Sequence, residues 1–162
     1  DLGPAPLKVV ANLPYNVATP LLIGWLKQIE SINSLTLMFQ KEVAERIAAG
    51  PGTKTYGRLS VLSQWLCDVH MDFTVAKTAF TPPPKVDSAV VTLTRRTDPL
   101  ATGGMKSLET VTAAAFGQRR KMLRASLKPL NIDLESLGID PTARAETLSV
   151  EQFCRIAESL KI

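Results

Sequence analysis

The sequence is poor in the residues that build metal and redox centres. It has one histidine, His70, and two cysteines, Cys67 and Cys154. With no second histidine and no cysteine pair at ligand spacing, no metal site is expected. His70 reads as a surface residue and the cysteines as inert, reduced thiols of a cytoplasmic protein. No run of about 18 apolar residues occurs, and no signal-peptide pattern, so nothing argues for a membrane partner or export. Glycine forms no dinucleotide fingerprint, because Gly50-Pro51-Gly52 follows a helix-like stretch and contains a proline. No repeat or low-complexity tract appears. What remains, 162 residues with 45% hydrophobic and 21% charged, suits one globular domain or two small ones.

Acidic residues are missing from one segment in particular. Residues 118–128 carry Arg119, Arg120, Lys121, Arg124 and Lys128 without a carboxylate, leaving fourteen basic residues against fifteen acidic ones in the rest of the chain. The whole positive excess of +4 therefore lies in one place, which is the footprint of a polyanion partner. Read as a helix, this segment puts Leu123, Leu127 and Leu130 on one face and Arg120, Arg124 and Lys128 on another. A solvated face would mix signs, whereas three like charges at i, i+4, i+8 suit phosphates.

The stretch around which the chain is organised is Ala11-Asn12-Leu13-Pro14-Tyr15-Asn16, directly after the apolar run Leu7-Lys8-Val9-Val10. A β-branched run ending this way reads as a buried strand opening into a rigid loop, since Pro14 fixes its own φ and keeps Leu13 extended. Open α/β sheets place ligands at such strand ends. The Asn12 carboxamide oxygen and the carbonyl of Leu13 or Pro14 are two acceptors that match the two N–H donors of a nucleobase amine. Tyr15 offers a flat face. Accepting both hydrogens lets the amine nitrogen pyramidalise and aim its lone pair at an electrophile, and methyl transfer to adenine N6 is such a reaction. The same residues could equally be a plain strand-to-helix turn.

Along the rest of the chain, Thr19-Pro20 predicts a helix start, with an amphipathic helix over 20–29 and a break at Asn33-Ser34. Leu35–Phe39 predicts a strand covered on both faces. Helices are expected over 41–49 and 58–66, the second with Leu59, Leu62 and Leu66 as its stripe. Val69–Val75 and Ala89–Leu93 predict an antiparallel pair. Between them, Pro82-Pro83-Pro84 stiffens a loop that carries Phe80. That aromatic is either a plug over the core or a stacking face for a base, and the commoner role of loop aromatics favours the plug. Residues 98–104, with Asp98-Pro99 and Gly103-Gly104, read as a linker between an α/β part at 1–97 and an all-α part at 105–162. Leu108, Val111, Thr112, Ala115 and Phe116 form one helical stripe, and Ser149-Val150-Glu151-Gln152 is a capping box opening the last helix.

Six blocks in this order resemble the ribosomal RNA adenine dimethyltransferases, and the small-subunit branch of that family in particular. They are Asn12-Leu13-Pro14-Tyr15-Asn16 with Thr19-Pro20-Leu21-Leu22, Gln40 to Arg46, Tyr56-Gly57-Arg58-Leu59-Ser60-Val61, Ala79 to Ser88, Gln118-Arg119-Arg120-Lys121, and Arg144-Ala145-Glu146. The resemblance implies a partial class I, Rossmann-like S-adenosylmethionine methyltransferase sheet over 1–97 and a helical RNA-binding domain over 105–162. It implies dimethylation of N6 on two adjacent adenines in a 3′-terminal stem-loop of small-subunit ribosomal RNA, in a pre-30S particle during ribosome biogenesis. Carried over by position, Asn12 accepts from the target amine and lies by the methyl donor, Leu13 and Pro14 line the site, and Tyr15 and Phe80 sandwich the extruded base. That reverses the plug reading of Phe80. Arg119, Arg120, Lys121, Arg124, Lys128 and Arg144 are implied to grip RNA phosphates. Gly117 stands where the family often has Asn.

The family's Gly-rich loop and the two acidic residues that hold the cofactor precede the Asn12 strand and have no counterpart here. The first residue is Asp1, so a fragment of a longer protein is expected, with an incomplete S-adenosylmethionine site and no activity of its own. The competing reading is a non-catalytic RNA-binding or ribosome-assembly factor on the same scaffold.

Overall fold

The computed structural model describes residues 4–98, 100 and 104–160, so part of the expected linker, residues 99 and 101–103, lies outside the described residues. The chain divides into two compact units, Asp1–Ala48 with Leu66–Thr97, and Ala49–Trp65 with Asp98–Ile162. Residues 49–65, read from the sequence with the α/β part, thus group with the helices. An apolar stripe announces a helix but not the partner it packs on.

The first unit is a four-stranded mixed sheet of order β1-β2-β4-β3. It comprises β1 (Leu7–Asn12), β2 (Ile32–Gln40), β3 (Cys67–Val75) and β4 (Ser88–Arg95), with helices α1 (Tyr15–Leu26) and α2 (Lys41–Ala48). β1 runs parallel to β2, and β4 is antiparallel to both β2 and β3. One face carries Leu35, Leu37, Phe39, Ala89, Val91, Leu93 and Cys67, all buried, as are Leu22 and Leu26 of α1 and Ala44 and Ile47 of α2. On the other face Thr36 and Met38 are half-buried and Val10 and Phe73 are 78% and 59% exposed.

Three expectations change here. β1 alternates half-buried and exposed residues, so it is not the buried strand expected, and among the described residues it pairs with β2 alone. β2 is covered on one face, because Thr36 and Met38 alternate with the leucines and Phe39 as the two-residue strand period requires. β2 also takes in Asn33 and Ser34, where a break is expected.

α1 begins earlier than Thr19-Pro20 predicts. Pro14, with ψ 134°, ends the strand, and Tyr15 is the first helical residue, which leaves Pro20 inside the helix. Pro20 cannot donate to the Asn16 carbonyl. Asn16 itself is an exposed residue.

The second unit contains α3 (Arg58–Leu66), α4 (Met105–Gly117), the single turn α5 (Leu123–Ser126) and α6 (Val150–Ser159). α3 buries Val61, Leu62 and Trp65, so that of the expected stripe Leu62 is buried while Leu59 and Leu66 are half-buried. α4 and α6 pack together around Leu108, Val111, Ala115, Phe153 and Ile156, all buried. The Phe116 ring meets Tyr56 edge-on at 5.9 Å and 77° and Phe153 at 5.2 Å and 31°, offsets that suit the ring quadrupoles. At the start of α6 the Ser149 hydroxyl accepts from the Gln152 N–H at 3.2 Å and the Gln152 side chain accepts from the Ser149 N–H at 2.8 Å, the reciprocal box that the sequence predicts.

Candidate functional site: a nucleobase cleft and a basic surface

The end of β1 and the loop before β4 meet at one cleft. Asn12 is the last residue of β1, exposed, and opposite Met38 in the parallel register. The turn that follows is fixed by Pro14, whose carbonyl accepts from the Val17 N–H at 3.1 Å and keeps one lone pair. Tyr15 is half-buried, and its hydroxyl lies 2.6 Å from Ser88 Oγ at the start of β4.

Phe80 arrives from the other side on a loop tied at both ends. The loop opens with a 3₁₀ turn at Lys77–Ala79, where the Lys77 N–H donates to Asp87 Oδ1 at 2.9 Å. The Asp87 carbonyl in turn accepts from the Lys41 N–H at 2.9 Å at the start of α2. Asp87 therefore holds the loop closed on itself and against the sheet.

The cleft has a volume of about 360 Å³ and is lined by Asn12, Leu13, Pro14, Tyr15 and Phe80, with Met38, Pro82 and Pro84. This size lies within the usual range for small-ligand sites. The structure thus brings together all five residues expected there and adds Met38, which the sequence reading missed. Met38 carries no chemical signal of its own and is found only through its register opposite Asn12.

The basic segment does not form the continuous helix expected over 118–130. α4 stops at Gly117, the Lys121 N–H closes a turn on the Gln118 carbonyl at 2.8 Å, and Met122 forms an isolated antiparallel bridge with Arg144. Long-range hydrogen bonds hold the next residues, Leu123 N–H to Ala143 O at 2.8 Å and Arg124 N–H to Pro141 O at 3.0 Å. Tertiary pairing with 141–144 overrides a helix burdened by like charges and by Pro129.

This arrangement sorts the six expected cations into groups. Arg120, Lys121 and Arg144 are exposed around the Met122–Arg144 bridge. Arg124 and Lys128 instead line a cavity of about 290 Å³ with Asp133 and Glu135. Hydrogen bonds from the Thr142 hydroxyl and N–H, with the Arg124 charge, hold the Asp140 carboxyl below its ordinary range. Arg124 and Lys128 therefore lie on a surface of mixed sign. Arg119 spends Nη2 on two backbone carbonyls, Lys54 O at 2.6 Å and Tyr56 O at 2.9 Å.

The thiols stay outside this chemistry. Burial, more than the opposing influences of Arg96 and Asp68, pushes the Cys67 thiol up to about 12. Burial followed by Glu151 and Glu158 does the same to Cys154. Among the described residues no group of three or more His, Cys, Asp or Glu side chains is placed to hold a metal ion, and no helix is long and apolar enough to cross a membrane.

The sequence profile of the family described as ribosomal RNA adenine dimethylase matches residues 4–161. A ribosomal RNA small subunit methyltransferase A from Rhodospirillum rubrum is 62% identical over 163 residues, which cover 98% of this chain and 56% of that protein. Its counterpart in Gluconobacter oxydans is 55% identical over 97% of this chain and 52% of its own length. The chain thus spans about half the length of the curated relatives it matches. Among solved structures, a dimethyladenosine transferase from Plasmodium falciparum superposes with a TM-score of 0.81 at 26% identity, over 92% of this chain and 64% of that one. The 23S rRNA methyltransferase ErmE gives 0.68 at 27% identity, over 99% and 67%.

Proposed function

The chain belongs to the ribosomal RNA adenine dimethylase family, and from that membership we propose that it forms the base-binding and RNA-gripping portion of an enzyme that dimethylates N6 of two adjacent adenines in small-subunit ribosomal RNA. Its sheet is part of a class I methyltransferase fold. The observation that carries the proposal is the convergence of Tyr15, Phe80 and Asn12 on one cleft at the end of β1.

In this reading the target adenine leaves its helix and stacks between Tyr15 and Phe80, each of which offers a face that any base can use. The Asn12 carboxamide oxygen and the carbonyl of Leu13 or Pro14 accept the two N6 hydrogens. The amine nitrogen then pyramidalises, its lone pair leaves conjugation with the ring, and it becomes nucleophilic. Met38, Pro82 and Pro84 line the rest of the cleft with apolar surface.

The family uses S-adenosylmethionine, which supplies an electrophilic methyl carbon when bound. Asn12, exposed at a parallel strand end, fits one wall of such a site. The described strand ends supply neither a Gly-rich loop nor an acidic partner for a ribose, so we infer that the cofactor site needs residues beyond these. Work on ribosomal RNA within a pre-30S particle places the protein in the cytoplasm.

The test is methyl transfer from labelled S-adenosylmethionine to 30S particles lacking the modification. A protein extended to the length of the relatives is expected to label N6 of adjacent adenines, and the 162-residue chain is expected to bind RNA without labelling it. Transfer by the short chain overturns the incomplete-site reading. Failure of the extended protein to transfer, with RNA binding intact, favours an assembly factor.

A further inference from the structure

The loop before α3 contains a lysine to which no role attaches in the preceding reading. Residues 50–57 are Gly-Pro-Gly-Thr-Lys-Thr-Tyr-Gly, and Lys54 is exposed at their centre. A loop of this composition is ordinarily mobile, yet this one is fixed at four points. Tyr56 is fully buried against Phe116. The Thr53 hydroxyl and N–H both donate to the Gly50 carbonyl, at 2.7 and 3.4 Å. The Gly52 N–H donates to the Glu146 carbonyl at 2.7 Å. Arg119 Nη2 donates to the carbonyls of Lys54 and Tyr56.

Two of these ties come from the blocks that carry the cations of the basic surface. Arg119 directly precedes Arg120 and Lys121, and Glu146 lies two residues after Arg144, whose backbone is bridged to Met122. Lys54 is therefore held between the two blocks. In residues 50–57, 117–122 and 143–147 there are five cations and a single carboxylate, that of Glu146. Arg119 meanwhile has both hydrogens of Nη2 committed to backbone, so its geometry is that of a clamp. An arginine fork can serve two acceptors with one nitrogen and keep its charge at the surface.

Resting on the RNA-binding reading above, we propose that Lys54 is a phosphate contact of the same surface as Arg120, Lys121 and Arg144, and that Arg119 is the positioning residue that sets it there. The ligand class is an RNA backbone. A charge held rigidly loses less freedom on binding than one on a mobile loop, and fixed spacing between Lys54 and the two arginines lets them follow successive phosphates.

The experiment is fluorescence anisotropy with a fluorescein-labelled 3′-terminal stem-loop of small-subunit RNA, titrated at several salt concentrations. For the unaltered chain log Kd should vary linearly with log salt. Lys54→Ala is expected to weaken binding about fivefold and to lower the slope by about 0.7 to 0.9, the contribution of one phosphate contact. Lys54→Arg should restore both. Arg119→Lys, which keeps the charge but cannot serve both carbonyls from one planar nitrogen, should lower the slope alone but not further when added to Lys54→Ala, since positioning and positioned residues are coupled. Thermal melts of each variant check folding, and the surface lysine substitution leaves the fold intact. An unchanged slope in Lys54→Ala, alongside a reduced one in Arg120→Ala, overturns the proposal and leaves the RNA surface standing. No RNA binding by the unaltered chain removes that surface and the proposal with it.

Discussion

The Tyr15 hydroxyl and Ser88 Oγ lie 2.6 Å apart, joining residues 73 positions apart in sequence. The bond couples the first residue of α1 to the first of β4, and Ser88 is fully buried. It fixes the tilt of a ring that otherwise turns about two side-chain bonds. Removing the bond from either end should have one effect. Ser88→Ala and Tyr15→Phe are each expected to weaken binding of an RNA stem-loop carrying 2-aminopurine at a target adenine by about 1 kcal/mol, the net worth of a hydrogen bond, with no additional loss in the double variant. Additive losses would mean that the two groups act separately.

Phe80 tests the sandwich itself. Phe80→Ala should cost about 1–3 kcal/mol of binding to the same probe, the range for one base–aromatic stack, and should abolish the quenching of 2-aminopurine that stacking produces. Phe80→Trp should keep the quenching. If the probe is quenched equally in Phe80→Ala, the ring is a plug over the core after all.

Three buried groups set a response to alkali. The thiols of Cys67 and Cys154 are raised from 9.0 to about 12, and burial, with Glu151 and Cys154, also raises the Tyr56 phenol. Each holds its proton more tightly when folded, so its contribution to stability is complete below the unfolded value and is lost as pH climbs towards the folded one. The urea midpoint should be flat from pH 7 to 9 and fall above pH 9. Both thiols should resist Ellman's reagent at pH 8 until the protein is denatured. Rapid labelling of the native chain would contradict this assignment.

At α6 the reciprocal bonds between Ser149 and Gln152 close the first turn. Ser149→Ala should lower unfolding free energy by about 1 kcal/mol, read as a drop in urea midpoint with unchanged slope. Ser149→Asp should retain most of the stability, since aspartate is an equally good cap and suits the helix dipole.

Local signals carried far in this chain. A nearly continuous apolar run announced β2, an alternating run and a short apolar run announced the β3–β4 pair, and helical stripes announced α2, α4 and α6. The four residues Ser149 to Gln152 named their own cap. Such features depend on neighbours within a turn or a strand, so the sequence holds them whole. Pro14 and Pro20 mark the limit. Either can stand at a helix start, and in the fold the helix begins at Tyr15, whose hydroxyl meets Ser88 73 positions away.

The sequence by itself determined the chemistry on offer, namely an amide, carbonyls and two aromatics suited to a base, and a concentrated positive charge suited to phosphate. Only the tertiary structure decided which of these residues meet. It put Met38 opposite Asn12 by strand register, drew Phe80 to Tyr15 through Asp87 and Ser88, and set Arg124 and Lys128 beside Asp133 and Glu135. The reason is physical. Propensity and periodicity act over a few residues, whereas a site assembles through hydrogen bonds and burial between segments that sequence distance leaves unrelated.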